Sequence, residues 1–301
     1  MQALGNYILR GRLQAVAVIT LLALVSLILP PLAYLFSGVP VGLVTMRRGA
    51  IIGIEIIIGC LLAMGLFLWL AQIPLQICLA FAVVIWVPVW ICASVLRSTG
   101  SQGMLVLVAG VIGLGFIVTM YLGTEDVSTW WQRWLDAWID TAAPADMGLQ
   151  YKQVLEPVVP LMNAMMAAGL VLSLVLTTLI ARWWQARLFN PGGFSEEFRS
   201  LRLPKWLFLP AVLGLLLMMM IGEPASSLLR DCLIIIVFLY LFHGIAMVHR
   251  IVNRKNLPGV WLICMYVLLL MVPQSVLFVA CLGIADSLRT GQYGAGRDNN
   301  A

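Results

Sequence analysis

Long apolar runs separated by short polar or basic segments make up most of the chain. Many runs are close to the ~20 residues that a helix needs to cross the hydrocarbon core of a bilayer. This pattern predicts transmembrane helices rather than strands, because only helices and closed barrels satisfy their backbone groups in lipid. The predicted spans are Ile51–Leu70, Leu75–Val95, Met104–Leu122, Val158–Ile180, Leu207–Ile221 and Leu228–Val248.

Prolines interrupt the apolar pattern near both ends of the chain. Residues 14–46 contain Pro30 and Pro31, which cannot both lie in an unbroken helix, so two short spans or a re-entrant loop are expected. Residues 260–287 contain Pro273 and form either one kinked helix or a second hairpin. The predicted fold is therefore an all-α polytopic transmembrane helix bundle of about eight spans, within a range of roughly seven to ten.

Residues 124–156 are too polar to span a bilayer, and they contain an amphipathic pattern. We interpret this segment as an amphipathic helix in the outer headgroup layer, where tryptophan is common. The alternative is a lid whose aromatic face covers a substrate pocket. Thr129 and Gln132 are expected to form a capping box at the start of the helix. The apolar residues at helical spacing are Val127, Trp130, Trp131, Trp134, Leu135, Trp138 and Ile139, with Arg133, Asp136 and Asp140 on the other side.

The distribution of lysine and arginine predicts the orientation of the chain. Residues 182–205 carry five basic and two acidic side chains, whereas residues 124–156 carry two basic and six acidic ones. Loops rich in lysine and arginine stay in the cytoplasm. We therefore expect the N-terminus and the 182–205 connector to be cytoplasmic and residues 124–156 to be periplasmic or extracellular.

This pattern predicts a single integral membrane domain over residues 1–301, in which polar segments separate two groups of helices. The two helix groups are 14–122 and 206–287, and the other segments are the external amphipathic segment 124–156, the cytoplasmic connector 182–205 and a flexible tail 288–301.

Composition agrees with a membrane protein. The 301 residues are 62% hydrophobic and 10% charged, whereas soluble domains carry about a quarter charged residues. The lipid bilayer is therefore the expected surrounding of most of the apolar surface. The net charge of +5 lies in loops rather than in one basic stripe, so no nucleic-acid partner is predicted.

Motifs for common enzyme chemistry are absent from the sequence. The chain contains no nucleotide-binding P-loop, no Gly-x-Ser-x-Gly and no His-Glu-x-x-His. The cysteines lie inside apolar runs without a Cys-x-x-Cys pair, which indicates buried thiols rather than metal ligands. We therefore predict no enzymatic activity, no cofactor and no metal. The six cysteines are Cys60, Cys78, Cys92, Cys232, Cys264 and Cys281.

Ionisable side chains within predicted spans are the first candidates for a functional site, because their burial in hydrocarbon is costly. Glu55 lies ~10 Å along a helix from Arg48, and His243 lies ~9 Å from His249, at the helical rise per residue. The matching depths lead to the hypothesis that Glu55 and His243 face one another and exchange a proton or bind a cationic group. Alternatively, each side chain reaches the headgroups or a neighbouring helix.

Two uncharged polar residues complete the candidate set. Asn163 is expected to cross-link helices rather than to bind ligand. Gln274 follows Pro273 and either satisfies freed backbone groups or lines a site of broken-helix type. Arg230 and Asp231 border a turn and are expected to form a surface pair of little energetic value.

Four segments of the sequence resemble one family. They begin with SGVPVGLVTMRRG and RLFNPGGFSEEFRSLRLPKW and continue with YLFHGIAMVHRIVNRKNLPG and CLGIADSLR near the C-terminus. Together they resemble the bacterial YybS-like membrane proteins, also called domain-of-unknown-function family 2232. The resemblance implies a bacterial cell inner membrane protein without an established activity. It also implies a distant similarity to the substrate-binding S components of energy-coupling-factor transporters.

These observations favour transporter-like binding or translocation of a small molecule, without an ATPase of the protein's own. The alternative is a membrane-embedded structural or assembly protein that recruits other membrane proteins through its small-residue faces and basic connector. An intramembrane enzyme with Glu55 or His243 as acid or base is the weakest of the three, because no second carboxylate or metal set accompanies them.

Overall fold

Helices form nearly all of the structure, which is a computed structural model. The structure describes residues 2–29, 33–142, 148–221 and 227–289, and no strand occurs in these ranges. The predicted all-α class is therefore confirmed. The predicted hairpin bend at Pro30 and Pro31 lies outside the described residues, as does the tail from residue 290 onward.

The helices, numbered in chain order, follow the apolar runs of the sequence. They are α1 Gln2–Ile8, α2 Arg12–Ser26, α3 Val39–Arg48, α4 Ala50–Leu70, α5 Gln76–Thr99, α6 Gln102–Gly123, α7 Val127–Ala142, α8 Gly148–Leu155, α9 Val159–Phe189, α10 Gly193–Ser200, α11 Phe208–Ile221, α12 Ser227–Arg254, α13 Val260–Met271 and α14 Ser275–Arg289.

Within the described ranges, five helical segments are long and apolar enough to cross a membrane, namely α4, α5, α6, α12 and the stretch Gln150–Phe189 that contains α9. The number rises to seven if each of two bent helix pairs is one span. The first pair, α1 with α2, bends by 119°, and the second pair is Gly193–Ser200 with Lys205–Ile221. The chain is thus a multi-pass helical membrane protein, and the figure of about eight spans stays a prediction.

The described residues belong to two units. Unit 1 comprises Met1–Ala109, Leu172–Arg202 and Ala246–Gly259, and unit 2 comprises Gly110–Val171, Leu203–Ile245 and Val260–Ala301. Both units take segments from both halves of the sequence, so they do not follow the predicted first and second helix groups. The single integral membrane domain stays a prediction.

Two π-helical turns accommodate prolines in unit 1. They are Tyr34–Gly38 before Pro40, and Phe81–Trp86 before Pro88. Proline has no backbone N–H, so a regular helical hydrogen bond is lost, and the wider turn bonds each carbonyl to a residue five positions later. In the second turn, the Tyr34 hydroxyl donates to the Val84 carbonyl at 2.9 Å. In a regular α-helix that carbonyl would accept the N–H of residue 88, which proline lacks.

The amphipathic helix α7 presents two different faces in unit 2. Its buried stripe packs against the buried Val159 and partly buried neighbours on α6, α8 and α9. Three further tryptophans are 40 to 48% exposed, so the predicted aromatic face is divided between protein core and surface. The helix itself is confirmed, whereas its place in the headgroup layer stays a prediction. The buried stripe is Val127, Trp131, Leu135 and Ile139, and the exposed tryptophans are Trp130, Trp134 and Trp138.

The start of α7 differs from the predicted capping box. The helix begins at Val127, and the Asp126 carboxylate accepts the backbone N–H of Thr129 at 2.6 Å. Aspartate is among the best residues before a first helical turn, because its side chain satisfies an N–H that has no partner within the helix. Asp126, rather than Thr129, therefore caps α7.

Glycines bring α12 and α14 of unit 2 into close contact. A Cβ atom at Gly244 would lie 2.0 Å from the Val279 carbonyl oxygen, and one at Gly283 would lie 2.4 Å from the Tyr240 carbonyl oxygen. Small residues allow such close packing of helices in membranes. The crossing point of α12 and α14 is therefore fixed by these two positions.

Substituting Gly244 by alanine should destabilise the protein by ~1–3 kcal/mol, the usual range for overpacking. The clash is with a backbone atom, so no side-chain rotation relieves it. Gly115→Ala is the matched control, because nothing lies within 4 Å of its Cβ position. The free energy of unfolding in mild detergent should fall for the first variant only. Equal effects of the two substitutions would contradict the close crossing.

Candidate functional site

A buried carboxylate lies near the N-terminal end of α12 in unit 2. Asp231 is fully buried, and its side chain is 1% exposed. It lies ~6 Å along the helix axis from Ser227, the first residue of α12. A carboxylate removed from solvent is costly unless other groups compensate its charge, so Asp231 needs partners within the protein.

Three side chains on three helices surround the Asp231 carboxylate. The amide nitrogen of Asn163 donates to Oδ2 at 2.8 Å, and the Tyr121 hydroxyl donates to the same oxygen at 3.3 Å. The Arg230 Nε lies 3.6 Å from Oδ1, and Arg230 also donates to the Pro160 carbonyl at 2.7 Å. Asp231 thus joins α6, α9 and α12 through hydrogen bonds and one ion pair.

A cavity of about 120 Å³ lies beside this cluster. Its volume approaches that of an engineered apolar cavity of about 150 Å³ that accommodates benzene. The wall includes the exposed Asp126 and Ser128 as well as the buried Asn163 and Asp231, so the cavity extends from the surface into the unit. Its lining residues are Tyr121, Asp126, Val127, Ser128, Trp131, Val159, Pro160, Asn163, Ser227, Arg230 and Asp231.

Apart from Arg230, which is ion-paired with Asp231, the residues of the cavity wall carry three buried polar atoms that have no hydrogen-bond partner in the part of the chain that the structure describes. They are Oδ1 of Asn163, Oδ1 of Asp231 and the indole Nε1 of Trp131. The Asn163 orientation is fixed by its bond to Asp231, because a carboxylate oxygen accepts and the amide nitrogen must donate. Buried polar atoms without partners are costly, so this cavity is suited to a polar occupant.

The surface end of the cavity also carries negative charge. The hydroxyl of Thr129, together with its backbone N–H, donates to the Asp126 carboxylate and lowers its pKa below the ordinary value. Asp126 is therefore ionised at neutral pH. With Asp231 and Arg230, the wall contains two carboxylates and one guanidinium, which leaves a formal excess of negative charge.

The structure places Asn163 of the predicted set in this cluster, where it cross-links α9 and α12. The prediction that Arg230 and Asp231 form a surface pair is wrong for Asp231, which is fully buried. Tertiary contacts cause this burial, because Asp231 contacts side chains of α6 and α9. Neither contact can be derived from the local sequence. One signal was present, because an aspartate beginning an apolar run is a candidate for burial.

His243 has an acidic neighbour in unit 2. Its Nε2 lies 3.1 Å from an Asp286 carboxylate oxygen, and the imidazole is 1% exposed. The glycine crossing of α12 and α14 brings the two residues together. Glu55 belongs to unit 1, where Arg12 lies 3.0 Å from its carboxylate and the side chain is 41% exposed. Each of these two contacts lies within one unit, and the Glu55–His243 pairing stays a prediction.

Gln274 lies in the interruption between α13 and α14, next to Pro273, and its side chain is exposed. Its backbone carbonyl accepts the N–H of Leu277 at 3.1 Å. At this break the Ser275 hydroxyl donates to the Leu268 carbonyl at 2.9 Å, and the same carbonyl accepts the Val272 N–H at 2.8 Å. Gln274 therefore lies apart from the Asp231 cluster.

Metal-binding side chains do not cluster in the part of the chain that the structure describes. No set of three or more His, Cys, Asp or Glu side chains there has the proximity that a metal ion requires. The cysteines are free thiols, and the buried Cys60 and Cys78 each lie near a helix carbonyl. Cys60, Cys78 and Cys92 are buried and Cys232 is partly buried, whereas the prediction of a buried thiol is wrong for Cys264 and Cys281, which are exposed.

Comparison with known proteins places the chain in a family without identifying its activity. The sequence model of the family described as "Predicted membrane protein (DUF2232)" matches residues 17–287. No curated protein and no solved structure matches the chain. The match covers most of the chain, including the Asp231 cluster and the His243–Asp286 pair.

The bond between Asn163 and Asp231 can be tested with a double-mutant cycle. Asn163→Leu should destabilise the protein by ~1–3 kcal/mol, because the buried carboxylate loses a donor. In an Asp231→Leu background the same change should cost much less, giving a coupling energy of ~0.5–3 kcal/mol. The free energy of unfolding in mild detergent is measured for the wild-type protein, the two single variants and the double variant. Additive effects would show that the two side chains do not interact.

Proposed function

The chain belongs to the DUF2232 family of predicted membrane proteins, and we propose that it is a transporter-like protein that binds a small, positively charged solute beside Asp231. The observation that carries the proposal is the pair of buried oxygens, on Asn163 and Asp231, that lack a donor among the described residues. A protonated amine supplies several N–H donors and a positive charge. It therefore matches both the acceptors and the formal charge of the wall.

The remaining lining groups narrow the solute class. Trp131 and Tyr121 are the aromatic residues of the wall, and aromatic rings attract cations. The Trp131 indole N–H has no acceptor in the described ranges, so a solute oxygen would satisfy it. A short amino alcohol carries both an ammonium group and such an oxygen, and it has few enough atoms for a cavity of about 120 Å³.

Arg230 does not compensate the cavity's negative charge fully. Its Nε lies 3.6 Å from Oδ1 of Asp231, which is beyond a good hydrogen bond. One of its terminal nitrogens donates to the Pro160 carbonyl. Asp231 Oδ1 is thus close to a positive charge but retains its capacity to accept a hydrogen bond from a solute.

The helix α7 links the cavity to the packing of unit 2. Trp131 belongs both to the cavity wall and to the buried stripe that packs on Val159. A change in the position of α7 therefore changes the shape of the cavity. This supports the lid interpretation of the sequence pattern, in which the aromatic face of α7 covers a substrate pocket.

The sequence also supports a protein that depends on another component for energy, because it contains no nucleotide-binding motif. Transport and a likeness to the S components of energy-coupling-factor transporters stay predictions. We further propose a bacterial inner-membrane location, with the N-terminus and the 182–205 connector in the cytoplasm. In that orientation the segment 124–156, and with it the Asp126 end of the cavity, faces the outside.

Solute binding should appear as thermal stabilisation of the purified protein in an uncharged detergent. Ethanolamine should stabilise it saturably, ethylamine less, and ethylene glycol and glycolate not at all. A bound solute at 100 times its dissociation constant adds ~2.7 kcal/mol to stability. Asp231→Asn should weaken ethanolamine binding about tenfold or more, because a hydrogen bond to a charged group is worth ~1.5–3 kcal/mol.

Asp140→Asn is the matched control, because Asp140 is mostly exposed and does not line the cavity. Its binding of ethanolamine should equal that of the unchanged protein. Each variant is compared with its own stability without solute. Equal stabilisation by all four solutes, or unaltered binding by Asp231→Asn, would contradict the proposed site.

The orientation can be tested by labelling single cysteines in a chain whose six native cysteines are replaced. Thr141 and Ser195 are both exposed, one at the end of α7 and one in the connector. A membrane-impermeant maleimide should label Thr141→Cys on intact cells and Ser195→Cys only after permeabilisation, because basic loops stay inside. The reverse pattern would show that the chain is inverted.

A further inference from the structure

A second cavity lies in unit 1, and its volume of about 240 Å³ is larger than that beside Asp231. Its polar wall consists of Arg97, Arg182, Gln185 and Glu197, with Met46 and Leu96 as apolar neighbours. We propose that this cavity binds a phosphate-bearing anion. The site is separate from the solute site proposed above and does not depend on it.

The guanidinium group of Arg182 is held in a fixed plane. Its Nε donates to one Glu197 carboxylate oxygen at 2.8 Å, and its Nη2 donates to the other. Its Nη1 donates to the side-chain oxygen of Gln185 at 2.7 Å. These bonds use three of the five N–H donors of an arginine. Arg182 therefore retains two N–H donors in an orientation that is already fixed, and its side chain is only 16% exposed.

Arg97 is anchored at a single point. Its Nη1 donates to the Met46 carbonyl at 2.6 Å, which holds the guanidinium near the C-terminal end of α3. The other donors of Arg97 have no hydrogen-bond partner in the described segments. Arg97 thus provides most of the unused donor capacity of this cavity.

Gln185 adds a neutral donor. Because its side-chain oxygen accepts from Arg182, its amide nitrogen is the atom that remains to donate. The two Glu197 oxygens are engaged by Arg182. The unused groups of the wall are therefore mainly donors, which is the reverse of the cavity beside Asp231.

The donor set matches a phosphate group. The two guanidinium groups and the one carboxylate of the wall give it a formal charge of +1. A guanidinium group can also donate two parallel hydrogen bonds to two oxygens of one phosphate. The volume of about 240 Å³ leaves room for a phosphate with a small attached group. The phosphate can come from an anionic lipid headgroup or from a free phosphate, and both present the same oxygens.

The test uses the full chain in an uncharged, phosphate-free detergent at constant ionic strength. The probes are inorganic phosphate, dihexanoylphosphatidylglycerol below its micelle concentration and dihexanoylphosphatidylcholine. Wild-type protein should show a saturable rise in Tm with phosphate or phosphatidylglycerol. Stabilisation by phosphatidylglycerol alone identifies a lipid headgroup, whereas stabilisation by inorganic phosphate identifies a free phosphate. Equal stabilisation by phosphatidylcholine would overturn the proposal.

Arg97→Gln should raise the concentration of the phosphate probe that gives half of the full Tm rise about tenfold or more. The reason is that the paired, charge-assisted hydrogen bonds of the guanidinium group are lost. Arg97→Lys keeps the positive charge but not the paired donors of the guanidinium group, and its half-saturating probe concentration should lie between those of the wild-type protein and Arg97→Gln. Arg254→Gln, which removes one exposed arginine of unit 1 outside the cavity, should leave the value unchanged. Each variant's own Tm without ligand serves as its baseline. Wild-type protein that binds neither phosphate probe, or equal values for Arg97→Gln and Arg254→Gln, would overturn the proposal.

Discussion

Every polar group that is withdrawn from water in this protein needs a partner, and this requirement determines both its helices and its candidate sites. In lipid the backbone meets it by forming helices. Where Pro88 removes an N–H, the Tyr34 hydroxyl meets the carbonyl that is left. Where Asp231 is buried, Asn163 and Tyr121 donate to it. At the positions where buried polar groups are only partly satisfied, we propose that a ligand binds.

The two cavities have opposite chemical character. In unit 2 the unused groups beside Asp231 are chiefly acceptors, with a formal excess of negative charge. In unit 1 the unused groups beside Arg97 are chiefly donors, with a formal excess of positive charge. The proposed occupants are therefore a cation in unit 2 and an anion in unit 1.

Some predicted spans match helices to within a few residues, whereas the helix predicted as Val158–Ile180 continues to Phe189 and that predicted as Leu228–Val248 continues to Arg254. The predicted Met104–Leu122 corresponds to the helix Gln102–Gly123, because the thickness of a bilayer fixes both length and apolarity. The sites were less predictable. His243 meets Asp286 across 43 residues, since a helix crossing set by Gly244 and Gly283 joins them. Asp231 is buried by contacts with helices that are distant in sequence. Hydrophobic periodicity predicts which face of a helix is buried, but it does not predict which other helix packs against that face.

The bond between the Tyr34 hydroxyl and the Val84 carbonyl has an evolutionary consequence. The hydroxyl substitutes for a backbone donor that Pro88 lacks. A related chain with an ordinary residue in place of the proline would recover that donor, and a phenylalanine would then serve in place of the tyrosine. A chain that keeps the proline but loses the hydroxyl would remove this donor from the Val84 carbonyl. The two positions, distant in sequence, should therefore change together during divergence.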